Sequence, residues 1–307
     1  MLYELNLNNK YNDECIYYFT NVSIIKTINK DIINQDLYDK LTSISSILND
    51  NIDKYNMNLL NPYYYLKQIT VSSIYFFVFK EICSKFSLEL NNSLIFSNSI
   101  ENINGINKII QNIKVCTKNK LYSSSKKKLI HNYSSFMNNE KNNYYNTIIV
   151  NYDDYSSFIK CILISLVIQK QDGTLIINVP SVTTNIILSL INFIMKFYNI
   201  TIIKPFATPI HSTERYIICE KYKTKDNKII LSFVRKCLDR INQYNYDEFI
   251  INNSKIEYFY LKQIIHDNTI WGTYVLNVLN KFLVDDNIVN SHKENYSTVS
   301  KWLQLLP

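Results

Sequence analysis

The chain has 307 residues, of which 47% are hydrophobic and 14% aromatic, so it can bury a sizeable core. This composition excludes a disordered chain, and the lack of an apolar run of about 18 residues predicts no transmembrane helix. The net charge of +7 comes mostly from lysine, and it permits contact with RNA or an acidic partner without requiring it.

The cysteines and histidines show no metal-binding pattern. No CxxC pair occurs, and the four histidines lack the spacing of metal ligands. We therefore expect buried free thiols in a reducing compartment and no metal site. The six cysteines are Cys15, Cys83, Cys116, Cys161, Cys219 and Cys237.

The first part of the chain is mixed and polar. Residues 1–60 predict a small N-terminal subdomain with one or two helices and a strand or two, and residues 61–307 predict the main domain with a C-terminal helical extension. The main domain opens with Tyr65–Phe86, which is aromatic and contains neither glycine nor proline. This segment predicts one long helix packed on the core.

The middle of the chain alternates short apolar strands with helical patterns. The predicted strands are Ser93–Phe96, Thr147–Asn151, Thr174–Val179, Ile200–Ile203 and Tyr216–Glu220. The predicted helices are Ile106–Ile113, Tyr155–Gln169, Thr183–Tyr198, Ile229–Ile241 and Thr269–Leu283. Asn98–Gly105 predicts a polar loop, Lys118–Lys141 a basic exposed loop, and Gln171–Gly173 a turn. The alternation indicates an α/β fold with a sheet covered on both faces.

The last two predicted strands differ from the others. Only a short link with Pro205 and Pro209 separates them, and a parallel crossover normally needs a helix, so this pair should be an antiparallel hairpin. A doubly wound sheet that ends in such a hairpin is the layout of Rossmann-type methyltransferases.

One segment carries a more specific resemblance. Asp172–Tyr222 resembles the C-terminal half of RNA 2′-O-ribose methyltransferases, through Gly173 in a turn, Lys204-Pro205 after a strand, and Thr213–Tyr216 opening the last strand. That family uses a Lys-Asp-Lys-Glu tetrad. A lysine of lowered pKa accepts or stabilises the proton of a ribose hydroxyl, and the acids hold that lysine in place.

The tetrad of this family is degenerate here. The resemblance places its members at Lys80, Asn151, Asn178 and Glu214, with Asp153 and Asp154 near the second. The central lysine is therefore Asn178, and an amide has no proton affinity near neutral pH. The resemblance implies a catalytic centre without its base.

The expected cofactor turn is also degenerate. S-adenosylmethionine binds at a glycine-rich turn after the first strand, because the backbone must pass close to the ligand. Here the turn runs from Ser97 through Asn104 to Gly105 and holds one glycine, at its end. We expect no cofactor.

A second resemblance extends over most of the chain. The order of features is similar to the small, regulatory subunit of the poxvirus mRNA-capping enzyme, through Asn61–Ile69, Lys118–Ile130, the IINVP strand, Phe249–Leu283 and Lys301–Pro307. This resemblance implies a cofactor-free methyltransferase-like fold, a heterodimer with the catalytic subunit, and stimulation of cap guanine-N7 methylation. It also implies a part in early transcription termination, contact with RNA or the viral RNA polymerase, and location in the virion and host cytoplasm.

Several alternatives stay open at this stage. Lys126, Lys127 and Lys128 are a partner or RNA patch or a solvated loop, and Trp271 and Trp302 are partner anchors or core residues. The competing function is an active 2′-O-methyltransferase with a displaced base such as Lys204 or Lys170. A third reading is a structural pseudoenzyme bound to another RNA-processing protein.

Overall fold

The computed structural model describes fourteen stretches of the chain. They are residues 3–7, 23–26, 35–50, 62–69, 72–110, 113–117, 120–123, 144–151, 155–210, 212–223, 227–244, 249–252, 258–284 and 297–304. No helix among these residues is long and apolar enough to cross a membrane.

The described residues include ten strands, which form two sheets. They are β1 (Tyr3–Leu7), β2 (Ser23–Lys26), β3 (Ser93–Ser97), β4 (Lys114–Thr117), β5 (Lys120–Ser123), β6 (Tyr145–Asn151), β7 (Gln169–Val179), β8 (Asn199–Lys204), β9 (Arg215–Glu220) and β10 (Phe249–Asn252). Eight of them make one mixed sheet in the order β1-β8-β9-β7-β6-β3-β4-β5, and β2 pairs with β10 separately. The predicted α/β class is confirmed.

Nine helices accompany these strands in the described stretches. They are α1 (Gln35–Asp50), α2 (Pro62–Ile69), α3 (Ile74–Phe86), α4 (Ile100–Asn107), α5 (Tyr155–Ile168), α6 (Asn185–Ile194), α7 (Asn227–Tyr244), α8 (Tyr258–Val284) and α9 (residues 297–304). Helices of this kind cover apolar sheets that would otherwise face water on both sides.

The main sheet has a core on each face because successive side chains of a strand point to opposite sides. Ile148 and Val150 of β6 pack in one cluster with α5, α6 and α7. Ile149 lies in the other cluster, together with residues of α2, α3, α4 and α8. The prediction that helices cover both faces is therefore confirmed.

The end of the main sheet has the predicted antiparallel arrangement. β9 lies between β7 and β8 and pairs antiparallel with both, so β7 and β8 run in the same direction. Gln171–Gly173, predicted as a turn, is part of β7. The register shifts opposite these residues, and Asp172 has a φ of 62°, which accommodates the extra chain as a bulge.

The single helix predicted for Tyr65–Phe86 is wrong, because the segment forms two helices. α2 ends at Ile69, and α3 begins after Ser73, whose side chain accepts a hydrogen bond from the N–H of Phe76 at 3.3 Å. A serine at this position satisfies a helix-end donor, so it begins a helix better than it continues one.

The polar loop predicted for Asn98–Gly105 is also wrong, because α4 occupies most of it. Ser99 caps this helix by accepting from the N–H of Asn102 at 3.2 Å. The helix then packs on α3, where a Cβ on Gly105 would lie 2.4 Å from Ser73 Oγ. This glycine is needed for close helix packing.

The described N-terminal residues contact the main domain in three places, one of which is the pairing of β2 with β10. β1 is the edge strand of the main sheet, antiparallel to β8, and its Glu4 pairs with Lys85 of α3. α1 packs on α8, where Leu37 approaches Gly272. The domain boundary expected at residue 60 stays a prediction.

Candidate functional site

The carboxyl ends of the parallel strands define the candidate site. β3, β6 and β7 are parallel, and Ser97, Asn151 and Val179 end them at one edge of the sheet. β8 ends at the same edge with Lys204, and the antiparallel β9 begins there with Arg215. Open α/β sheets bind their ligands outside this edge, so we call it the carboxyl edge.

Two of the four tetrad positions meet at this edge. Asn178 donates from Nδ2 to Glu214 Oε1 at 2.9 Å. The same carboxylate oxygen accepts from the hydroxyl of Tyr216 at 3.1 Å, and Asn178 Nδ2 lies 3.3 Å from that hydroxyl. We call these three residues the amide–acid cluster. Its hydrogen bonds hold Glu214 in place through an amide and a phenol.

A second cluster lies at the ends of β8 and β9. Lys204 is fully buried and donates from Nζ to the carbonyl of Ser212 at 2.8 Å. Its Nζ lies 5.7 Å from the centre of the Trp271 ring, and the Arg215 guanidinium lies 5.1 Å from the same ring. We call Lys204, Arg215 and Trp271 the cation cluster, because two cations share one indole.

The surroundings of Lys204 lower the pKa of its amine. The pKa of Lys204 is lowered to about 7, mainly by burial and also by the nearby Arg215 guanidinium, while Glu214 acts in the opposite direction. A lysine with such a pKa is largely uncharged above neutral pH, which reduces the cost of keeping it out of water. The same pKa would suit a general base.

α8 closes the carboxyl edge over the cation cluster. Its Trp271 covers Lys204 and Arg215, and Asn268 Nδ2 lies 3.5 Å from the carbonyl of Val182, just beyond β7. Along the same helix, Ile264 packs in one core and Trp271 in the other. α8 therefore passes from one face of the sheet to the other across the ends of β7, β8 and β9.

Lys80, the first tetrad position, makes no hydrogen bond or ion pair with the amide–acid cluster among the described residues. Lys80 is half-buried on α3. Its neighbour Glu81 is buried, and Glu81 Oε2 accepts from the N–H of Phe206 at 2.8 Å, just after β8. Burial raises the pKa of Glu81. The sequence interpretation missed this residue, although an acid inside the apolar run of α3 was a signal.

At the ends of β3 and β6, where the resemblance places the cofactor turn, side-chain caps close the chain. Asn151 pairs with Ser97 across β6 and β3, and Ser97 Oγ accepts from the N–H of Ser99 at 3.1 Å. α4 then begins at Ile100, and Asn102 is fully buried in its first turn, with no recorded partner for its amide in the described part of the chain. Asn104 is exposed. The turn that should hold a methyl donor is short and built from side-chain caps.

Other predicted contact residues have different surroundings. Trp271 is a core residue, whereas Trp302 of α9 is half-buried, with ring centres 5.0 Å from Phe206 and 6.4 Å from Phe77. Lys126, Lys127 and Lys128 lie outside the described residues, as do Asp153 and Asp154.

Lys170 cannot serve the carboxyl edge. It is the second residue of β7, and Asn178 is near the other end, roughly 25 Å away at about 3.3 Å per residue. The idea that Lys170 is a displaced base is therefore wrong.

The described residues offer no site for metal binding or for thiol chemistry. No group of histidine, cysteine and carboxylate side chains there could hold a metal ion. Cys83, Cys161, Cys219 and Cys237 are free thiols, and the last three are buried, in line with the sequence prediction. Burial raises the pKa of Cys83 to about 11 and that of Cys237 to about 12, so neither is a reactive thiolate.

Comparison with known proteins gives no relative. No family model matches the chain, and no curated protein matches it with significance.

Proposed function

We propose that the chain is a Rossmann-type methyltransferase-like protein without methyltransferase chemistry, which acts as the regulatory subunit of a viral mRNA-capping enzyme. Two features support the methyltransferase-like assignment: a sheet covered on both faces, and an antiparallel β9 inserted between β7 and β8. The residues that resemble RNA 2′-O-ribose methyltransferases lie on these strands and at their carboxyl ends.

The amide–acid cluster carries the proposal. Asn178 stands where the resemblance expects the central lysine, and it donates to Glu214, the expected glutamate of the tetrad. An amide in this hydrogen bond holds the carboxylate as a lysine would, but it cannot take up a proton. The pairing that the resemblance expects is thus kept on this proposal, while the base is lost.

The cofactor side supports the same conclusion. Backbone groups must approach S-adenosylmethionine closely, and the turn after β3 uses the side chains of Ser97 and Ser99 for its own caps. Gly105, the one glycine of this region, is used to pack α4 on α3. These residues do not fit the methyl donor.

A chain without chemistry of its own stimulates a partner by binding its active conformation more tightly than its inactive one. We propose that this chain acts in that way on the catalytic subunit, raising cap guanine-N7 methylation. The expected coupling is on the order of 1–3 kcal/mol, or about 5–150-fold in affinity for capped RNA or methyl donor. Linkage requires those ligands to tighten the heterodimer by the same factor.

Co-expression with the catalytic subunit of the capping enzyme tests this proposal. We expect a stable heterodimer whose rate of N7 methylation exceeds that of the catalytic subunit alone. Glu214→Ala and Lys80→Ala should leave the stimulated rate within a few-fold of normal, provided that the variants fold. A heterodimer without stimulation would contradict the regulatory role, and absence of binding would favour a different RNA-processing partner.

One observation favours a second candidate, an active cap 2′-O-ribose methyltransferase. Lys204 lies at the carboxyl edge with its pKa lowered to about 7, which is the property of a general base. However, its ammonium nitrogen donates to the Ser212 carbonyl, lies beneath Trp271 and has no exposed surface. A base must reach the proton that it removes, so Lys204 needs α8 to move before it can act.

A further inference from the structure

Exposed large apolar side chains are few in the described residues, and most lie on two neighbouring helices. Ile270 and Tyr274 of α8 are 53% and 45% exposed, and Ile47 of α1 is 46% exposed. The fourth, Ile100 of α4, is 75% exposed and lies elsewhere. Because α1 packs on α8, three of these four side chains belong to one helix pair.

The two sides of α8 differ in what they contact. Ile264, Trp271, Val275 and Leu279 are buried against the rest of the chain. The opposite side is exposed and repeats every three or four residues, as one face of a helix does. This exposed row, which we call the α8 stripe, consists of Lys262, His266, Ile270, Tyr274, Asn277 and Lys281.

The α8 stripe has an apolar centre and cationic ends. Ile270 and Tyr274 lie in the middle, and Lys262 and Lys281 lie about 28 Å apart along the axis at about 1.5 Å per residue. Among the described side chains of α8, none of the exposed ones is a carboxylate. Protein interfaces have this composition, with an apolar and aromatic centre inside a polar rim.

We propose that the α8 stripe is the docking surface for the catalytic subunit, and that it binds an aliphatic surface flanked by carboxylates. This inference rests on the proposed function and locates its partner contact. We choose a protein over RNA because Ile270, the more exposed of the two central side chains, has no flat ring on which a base can stack, whereas Tyr274 suits either partner. The charge on the stripe defines the partner face as acidic.

The location of the stripe connects docking to the carboxyl edge. Ile270 is adjacent in sequence to Trp271, which covers Lys204 and Arg215 from the inner side of α8. A protein bound to the outer side holds this helix in place. The heterodimer should therefore keep Lys204 buried more firmly than the free chain does.

Single substitutions at the centre of the stripe test the apolar contact. We expect Ile270→Asp and Tyr274→Ala each to weaken binding of the catalytic subunit by at least about 10-fold, since buried aromatic and aliphatic anchors dominate interface energy. Ile100→Asp is the matched control, because it places the same charge at a more exposed isoleucine outside the helix pair, and it should leave affinity within about 2-fold.

Charge reversal at the ends of the stripe tests the acidic partner face. In the double variant Lys262→Glu and Lys281→Glu, the association rate should fall at least about 10-fold in low salt, and its dependence on ionic strength should weaken. Ile270→Ala is a milder central variant if Ile270→Asp fails to fold, which far-ultraviolet circular dichroism and a thermal melt would reveal.

Each outcome decides between the alternatives. If the wild-type chain does not bind the catalytic subunit, the proposed function is wrong and the docking inference fails with it. If the wild-type binds but the stripe variants bind equally well, the docking inference alone is wrong. Two further results would show that the stripe binds something other than the catalytic subunit. One is that the wild type binds a short capped oligoribonucleotide and Ile270→Asp does not. The other is that the wild type sediments as a homodimer and this variant as a monomer.

Discussion

The two halves of the carboxyl edge are built differently. At the ends of β7, β8 and β9, the polar residues bond to each other, and α8 covers the cation cluster. At the ends of β3 and β6, the edge is formed by Ser97, Asn151 and the first turn of α4, where Asn102 is buried without a recorded partner among the described residues.

We propose that both halves are structural, in different ways. Around β7–β9, the residues at the tetrad positions bond to one another, so their loss should cost stability rather than activity. Around β3–β6, side-chain caps close the turn, so substitution there should affect the packing of α4 and not the binding of a methyl donor.

Trp271→Ala should have the largest effect, because it uncovers the cation cluster and leaves a cavity between α8 and the sheet. We expect the free energy of unfolding to fall by about 3–5 kcal/mol, which urea denaturation measures. Trp302→Ala is the matched control at a half-buried indole, and it should cost less. Equal losses would mean that Trp271 does not specially stabilise the edge.

Lys204→Met should stabilise the chain, because methionine fills similar space without a buried amine. The folded pKa of Lys204, about 7, lies below its ordinary value of 10.5, so the unfolded state binds more protons between these values and wild-type stability rises with pH there. The advantage of Lys204→Met should be on the order of 1–4 kcal/mol below pH 7 and shrink as pH rises towards 10. Urea titrations at several pH values measure it, and a pH-independent difference would contradict the assigned pKa.

Gly105→Ala tests the cofactor half. The added Cβ would meet Ser73 Oγ at 2.4 Å and the Phe76 nitrogen at 2.9 Å, so α3 and α4 must separate. We expect a loss of about 1–3 kcal/mol in thermal or urea unfolding. Asn104→Ala, one residue away and exposed, should change stability by less than about 0.5 kcal/mol. Tolerance of alanine at Gly105 would remove the packing explanation for this glycine.

Asn178→Lys should have the smallest effect of the four changes, because we expect it to create no methyltransferase activity. The new lysine restores the tetrad residue and can pair with Glu214, but on our proposal the capped turn after β3 binds no methyl donor. Methyl transfer to capped RNA by the isolated variant should therefore stay at background. Activity in this single variant would show that a donor site survives.

Features that arise within one strand, or between two strands joined by a short link, were predictable from the sequence. Ile148–Val150, Leu175–Ile177 and Ile217–Cys219 are apolar runs bounded by polar residues, and each is a central strand. The antiparallel β8–β9 pair followed from a link too short for a crossover helix. The amide–acid cluster was also predictable in part, because Asn178 and Glu214 both come from the segment that resembles the methyltransferases.

Helix boundaries and long-range contacts were not predictable in the same way. Ser73 and Ser99 begin helices through side-chain bonds whose effect depends on the local backbone, and the sequence interpretation treated these serines as helix interior and loop. The cation cluster joins β8 and β9 to Trp271, a residue far along the chain, and no periodicity reveals such a contact. Glu81 was missed because its partner, the Phe206 N–H, lies on a distant loop.

We propose that the carboxyl edge of this chain transfers no methyl group. The most direct test of this proposal incubates the heterodimer with capped RNA and S-adenosylmethionine carrying a labelled methyl group, and then locates the label after digestion. We predict label at guanine N7, at a rate above that of the catalytic subunit alone, unchanged by Lys204→Met in this chain. Label on the ribose 2′-oxygen that disappears in Lys204→Met would contradict the account and make Lys204 a catalytic base.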